Sequence, residues 1–310
     1  MLKSFKMRIK RCIMGIALAD AMGAYLEYRS KPTVTNYFKN TPYVFPPEVD
    51  LNHMIHRGEQ PCHWTDDTSQ VILLMDMLIE NNGEIDTCLF ARKLVEWLEK
   101  GIPECNETNA NDVGGLTLCV IKGTDFTTNP KKSAFLRWVE RARGAASNGS
   151  VMRTAVMGGR NVAYNKAIAD AIEIGMVTHY DPRCSVACAV ITSLVWDIIH
   201  ETPEDQTLRN AYNWCTLGGD YTNECCVLFN VHTLEELKLD DMIGYALKCM
   251  AVGVWAYRNR YRPYRDVIID IIMEGGDTDT NAAVAGGVLG AWNGYDNLPL
   301  VLLCMNYFYI

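Results

Sequence analysis

Apolar positions recur at helical spacing along almost the whole chain. Ile9, Ile13, Ile16 and Ala17 line one face of a first helix, which the pattern carries to about Leu26. Val71, Leu74, Met75 and Leu78 line a second, beginning at the acidic cluster around Asp66 and Asp67. Phe90, Leu94, Trp97 and Leu98 form the face of a third, with Asp86 as its cap and Gly101 and Pro103 as its stop. The same period predicts helices near 131–142, 160–176, 183–200, 204–215, 239–260 and 264–273. A last helix runs from Asp277 to about Trp292. Its stretch 282–291 is rich in Ala and Gly, so another helix can come close, although each Gly costs about 1 kcal/mol of helix propensity. Alternating strand patterns are scarce, and no repeat or Pro/Gly-rich linker divides the chain. Residues 29–63, with Pro32, Pro42, Pro46 and Pro47, form the longest irregular segment. The reading is an all-α protein with residues 1–310 as one domain.

Composition narrows the functional classes. The 310 residues are 49% hydrophobic and 21% charged, ordinary for a globular chain. The net charge is −8, and no run of Lys or Arg makes a basic stripe, so no nucleic-acid partner is expected. An acidic protein admits a phosphorylated ligand only where a metal, a helix N-terminus or a local Arg offsets the field. The twelve cysteines follow no zinc spacing: Cys184 and Cys188 are four apart on an apolar helix, and Cys225 and Cys226 are adjacent. They read as reduced core residues. The first residues read as no apolar leader, and no segment is expected to approach the roughly 18 apolar residues of a membrane span. The expectation is an intracellular, cytoplasmic, monomeric protein with no membrane partner.

Two acidic clusters carry the candidate chemistry. Thr65-Asp66-Asp67-Thr68 follows Trp64, and Asp277-Thr278-Asp279-Thr280 follows Gly275-Gly276. Each opens an apolar helical pattern. Carboxylates and hydroxyls are hard oxygen donors of the kind Mg²⁺, Mn²⁺ and Ca²⁺ prefer. Each cluster alone also reads as a helix cap with acid in its first turn. The segment Gly144 to Arg153 is either a turn or a phosphate cradle, with Arg153 as an added charge. His179 follows a helix end, where histidine is commonly structural. His53, His56 and His63 with Cys62 match no familiar zinc spacing. Asp20 falls on the apolar face of the first helix and must be satisfied by hydrogen bonds. Glu27 lies just past that helix, as an exposed last-turn residue or as a base or ligand.

Taken together and in order, these segments resemble the ADP-ribosylglycohydrolase family, which includes ADP-ribosylarginine hydrolases, dinitrogenase-reductase-activating glycohydrolases and J1 crystallins. The resemblance runs from about residue 7 to 298. It rests on Gly15 to Gly23, the Trp64 to Thr68 motif, Ser147 to Arg153, Thr178-His179 and the Gly275 to Thr280 motif. It implies an all-α orthogonal multi-helix bundle with a central metal-containing cleft that holds two Mg²⁺ (or Mn²⁺). The implied ligands are Thr65, Asp66 and Asp67 from one side and Asp277, Asp279 and Thr280 from the other. Asn148, Gly149, Ser150 and His179 match positions that contact ADP-ribose. Asp112 and Gly115 match a substrate-facing segment loosely. Glu27 matches a glutamate on a flap over the metals, and Glu27, Asp66 or Asp67 would take a proton from water. Ala19 stands where the family usually has Gly, and the family often has Ala at Ser150 or Val151. The implied activity is hydrolysis of the bond between ADP-ribose and a protein side chain, with ADP-ribose or an ADP-ribosylated protein as partner. The alternatives are a silent binding or structural member of the fold, or a hydrolase of another ADP-ribose or nucleoside conjugate.

Overall fold

A computed structural model of the chain describes residues 2–45, 63–105, 107–110 and 112–293. Among them are fourteen α-helices and no strand. Helix α1 (Leu2–Gly23) leads through a short 3₁₀ turn to Glu27 and then to α2 (Lys31–Tyr37). After the undescribed stretch come α3 (Asp66–Glu80), α4 (Thr87–Lys100), α5 (Gly115–Ile121) and α6 (Pro130–Glu140). The middle of the chain holds α7 (Val151–Thr154), α8 (Tyr164–Gly175), α9 (Pro182–Ile199), α10 (Glu204–Cys215) and α11 (Thr222–Phe229). It ends with α12 (Ala246–Arg258), α13 (Tyr264–Ile272) and α14 (Thr278–Asn293).

Local chemistry accounts for most boundaries. Asp86 caps α4 by accepting from the backbone N–H of Cys88 and Leu89, each at 2.9 Å. Gly101 stops that helix at φ +65°. Three expectations are corrected. The irregular 29–63 segment contains α2, whose Pro32 lies in the first turn behind the Ser30 cap, where proline starts a helix rather than breaking one. The helix expected over 239–260 begins only at Ala246, because the chain turns at Gly244 with φ +77°. Helices α5 and α11 were not anticipated; both are short, at 7 and 8 residues, too few for a clear period. His53, His56 and Cys62 lie outside the described residues.

Two apolar clusters meet along α1, α12 and α14, each of which feeds both. The larger holds Leu74, Phe90, Leu94, Trp97, Ile191 and Leu194. The smaller holds Met22, Leu26, Val34, Trp255, Ile268 and Ile271. Each such fully buried side chain contributes about 1.5–3 kcal/mol of transfer free energy. Helix α9 packs against α8, α10, α12 and α14. At 18 residues it is long and apolar enough to cross a membrane, contrary to the expectation that no segment approached that length, but 78% of it is buried inside the fold. The ten cysteines among the described residues are all free.

The closest helix pair is α1 with α14. A Cβ on Gly15 would collide with the Gly286 carbonyl, one on Gly286 with the Gly15 carbonyl, and one on Gly290 with the Arg11 carbonyl. The small-residue stretch of α14 therefore lets two backbones touch. This contact sets α1, which carries Asp20, against the N-terminus of α14, which carries Asp279.

Candidate metal centre and active-site cleft

The starts of α3 and α14 converge with the end of α1. Asp20, Asp67 and Asp279 form one group of carboxylates within 4.8 Å of one another; Glu27, Asp277 and Asp279 form a second. Asp279 belongs to both. All five are buried.

The donors around these acids are unevenly shared. Asp20 Oδ1 accepts from the Thr65 N–H at 3.0 Å and the Thr65 hydroxyl at 2.9 Å. Its Oδ2 accepts from the Thr68 N–H at 3.0 Å and the Thr68 hydroxyl at 2.6 Å. Burial pushes Asp20 up to about 6, and these hydrogen bonds restrain the rise. Asp67 is poorer. The Thr65 hydroxyl also lies 3.0 Å from Asp67 Oδ2, but it has one proton, and Asp20 competes for it. The Thr280 hydroxyl is 3.2 Å from the same Oδ2. Asp67 Oδ1 and Asp277 Oδ1 are buried with no hydrogen-bond partner among the described residues. Burial, then the neighbouring carboxylates, drives Asp66, Asp67 and Asp279 well above the usual carboxylate range. Glu27 is pushed up to about 11 by burial, then by Asp112, which shares a hydrogen bond with it, and by Asp277. Among the described residues no Lys or Arg pairs with these acids, and their free oxygens are hard donors; the set fits divalent cations.

A cleft of about 520 Å³ opens above these acids. Glu27, Asp66, Asp112, Gly115, Asn148, Gly149, His179, Asp277, Asp279 and Thr280 all line it. Thr65 and Asp67 are buried without lining it. Glu27 is 5% exposed, which rules out the exposed last-turn alternative. Its segment is tied to the second acidic motif: the Tyr28 N–H donates to Gly276 O, and the Gly276 N–H donates to Arg29 O, both at 2.7 Å. Gly276 makes this approach at φ +79°, where a Cβ would strike the Leu239 carbonyl.

The opposite wall is built from the 144–150 segment. Asn148 Nδ2 donates to Asp277 Oδ2 at 3.0 Å, and the Asn148 backbone N–H donates to Gly244 O at 2.9 Å. His179 Nε2 lies 2.9 Å from the Ser147 hydroxyl. Burial, then the charge of Arg153, holds the His179 ring well below its usual pKa, so it is neutral. Two residues of the 144–153 segment turn away from the cleft. The Ser150 side chain is fully buried, close to where Gly175 packs on Cys188, and does not line the cleft. Arg153 is also fully buried and faces inward rather than toward a phosphate.

A family model described as ADP-ribosylglycohydrolase matches residues 1–305. The chain belongs to the ADP-ribosylglycohydrolase family. Membership puts it among enzymes that break glycosidic bonds. It is 24% identical over 305 residues to ADP-ribosylarginine hydrolase Tri1 of Serratia proteamaculans, across 94% of this chain and 73% of that one. It is 21% identical over 300 residues to ADP-ribosyl-[dinitrogen reductase] glycohydrolase of Rhodospirillum rubrum, across 92% of this chain and 85% of that one. A solved ADP-ribosylglycohydrolase-related protein shares the fold with a TM-score of 0.64 and 21% identity, over 97% of this chain and 92% of its own.

Sequence reasoning missed several residues in and behind the cleft. Gln70 donates through Nε2 to Asp66 Oδ2 at 2.8 Å. Its spacing of four from Asp66 on one helix was the available signal. Glu107, behind the first motif, accepts from Ser69 Oγ at 2.6 Å, Trp64 Nε1 at 2.9 Å and Trp97 Nε1 at 3.2 Å. Tyr28, Arg141 and Arg183 also line the cleft; nothing in their sequence context marked them.

Proposed function

We propose that this chain is a divalent-metal-dependent ADP-ribosyl hydrolase that releases ADP-ribose from a modified protein side chain. One observation carries the reading: Asp279 is common to two buried carboxylate groups, and Asp67 and Asp277 each keep an oxygen without a partner. Two Mg²⁺ or Mn²⁺ ions fit that donor set, held by Asp66, Asp67, Asp277 and Asp279 with Thr65 and Thr280 beside them. When bound, the ions supply positive charge that orients substrate hydroxyls and polarises water.

The remaining chemistry falls to the chain's own groups. Glu27 and Asp112 share a hydrogen bond in the cleft, a pair able to hold or release one proton near the bond to be cut. Carboxylates around the floor stabilise positive charge developing on the sugar. Asn148, Gly149 and the Ser147–His179 pair offer polar groups to the diphosphate and ribose on the opposite wall.

The related hydrolases named for arginine-linked and dinitrogen-reductase-linked ADP-ribose favour a protein-linked substrate over a small ester. The free cysteines among the described residues agree with a reducing, intracellular compartment, and we take the monomer as the working unit. The deciding experiment measures ADP-ribose release from arginine-modified and serine-modified proteins, with Mg²⁺ and with EDTA. Magnesium-dependent release from one of them is expected; equal release in EDTA would overturn the proposal.

A further inference from the structure

Arg153 has no part in the chemistry above, yet it connects both sides of the cleft. It is fully buried and forms no ion pair among the described residues, though the charge of Asp66 reaches it. Its Nη1 donates to Gln70 Oε1 at 2.8 Å and to Gly149 O at 3.0 Å. Its Nη2 donates to Thr178 Oγ1 at 2.7 Å and to Ile174 O at 3.0 Å. It also lies over the Phe90 ring, 5.4 Å from the centroid.

A guanidinium can only donate. Two assignments follow from that restriction. Gln70 must turn its oxygen to Arg153, so its amide nitrogen faces Asp66 Oδ2, 2.8 Å away. Thr178 must accept from Arg153, and among the described residues the one acceptor within reach of its own proton is His179 Nδ1 at 2.7 Å, so that proton goes there. With Nδ1 accepting, the neutral His179 ring carries its proton on Nε2 and donates to Ser147 Oγ at 2.9 Å. Ser147 then accepts from the ring, and its own proton is left for an acceptor in the cleft it lines.

We propose that Arg153 is a positioning residue whose donor-only character fixes the His179 tautomer on one wall of the cleft and the orientation of Asp66 on the other. The reading of the wall as facing a diphosphate rests on the function proposed above; the tautomer does not. The chain of polarity runs from a buried cation outward and ends on donors that suit an anionic ligand.

The test is made on Thr178, which leaves the arginine in place and the core intact. Long-range proton–nitrogen correlations of the histidine rings are recorded on ¹⁵N-labelled full-length protein, with His179→Gln identifying the signals of that ring. Wild type is expected to show a protonated Nε2 and a bare Nδ1 at neutral pH. Thr178→Ser keeps that pattern. Thr178→Val loses it, and KM for the ADP-ribosylated substrate rises about tenfold, the worth of one hydrogen bond to a charged group, while kcat changes less than about twofold. A wild-type ring protonated on Nδ1, or a Thr178→Val protein indistinguishable from Thr178→Ser in both tautomer and KM, would overturn the proposal. The ring signals need no substrate. A protein with the expected tautomer that releases no ADP-ribose supports this assignment and counts against the glycohydrolase reading alone.

Discussion

Asp20 and Asp67 lie side by side beneath the cleft, both fully buried, and they differ in what surrounds them. Asp20 accepts four hydrogen bonds from Thr65 and Thr68. Asp67 competes for one of those hydroxyls and keeps an oxygen with no partner. A buried acid saturated by donors is an architectural element: it ties α1 to the start of α3. A buried acid short of donors stays ionised only when a cation completes it, and otherwise holds its proton. Burial alone does not separate structure from function in this molecule; the donor inventory does.

The comparison breaks most sharply on activity. The double variant Asp67→Asn, Asp277→Asn should lose at least about 10³-fold in kcat/KM, since it removes charge stabilisation worth about 4 kcal/mol. Full turnover in that variant would show that the partnerless oxygens hold nothing the reaction needs. Asp20→Ala should act in the other way. It strands two N–H groups and two hydroxyls in the interior and should cost about 3 kcal/mol in urea unfolding.

The third outcome separates the two acids by metal. Mg²⁺ at about 100 times its Kd should stabilise the wild type by about 2.7 kcal/mol, and the Asp67→Asn, Asp277→Asn protein by far less. The size of the effect depends on pH. Without a cation, the folded chain holds Asp66, Asp67 and Asp279 protonated well above the range where the unfolded chain ionises them. The metal-free fold therefore binds more protons than the unfolded chain above about pH 4, and its stability falls as pH rises. The rise in Tm on adding Mg²⁺ should be larger at pH 8 than at pH 5.5; the reverse order would contradict the charge-starved account of Asp67. The smallest effect is Thr68→Val, which deletes one donor to Asp20. It should cost about 1–1.5 kcal/mol and leave the Mg²⁺ titration unchanged.

Much of this arrangement was legible before any coordinates. The long helices carried clear periods, and Asp86, Gly101 and the two acidic motifs announced helix ends. Helix α2 was hidden because Pro32 reads as a breaker until Ser30 is seen to cap the turn ahead of it. The acids of the site were visible because their motifs are local. The role of Arg153 was not legible, because it lies in contacts with Gln70 and Thr178, which are distant in the chain. Ser150 was misjudged for a related reason. The turn at Asn148 and Gly149 points one side chain into the cleft and the next into the packing of α9, and no spacing rule distinguishes them.

The contact between α1 and α14 has a consequence for precision. Where side chains separate two helices, a substitution is absorbed by a new rotamer. Here the Gly15, Gly286 and Gly290 backbones touch, and nothing between them can yield. Asp279 lies two turns from Gly286, roughly 10 Å along the axis. The distance between Asp20 and Asp279 is thus gauged by main chain against main chain, so the tolerance of the acidic centre is that of peptide geometry rather than of side-chain packing.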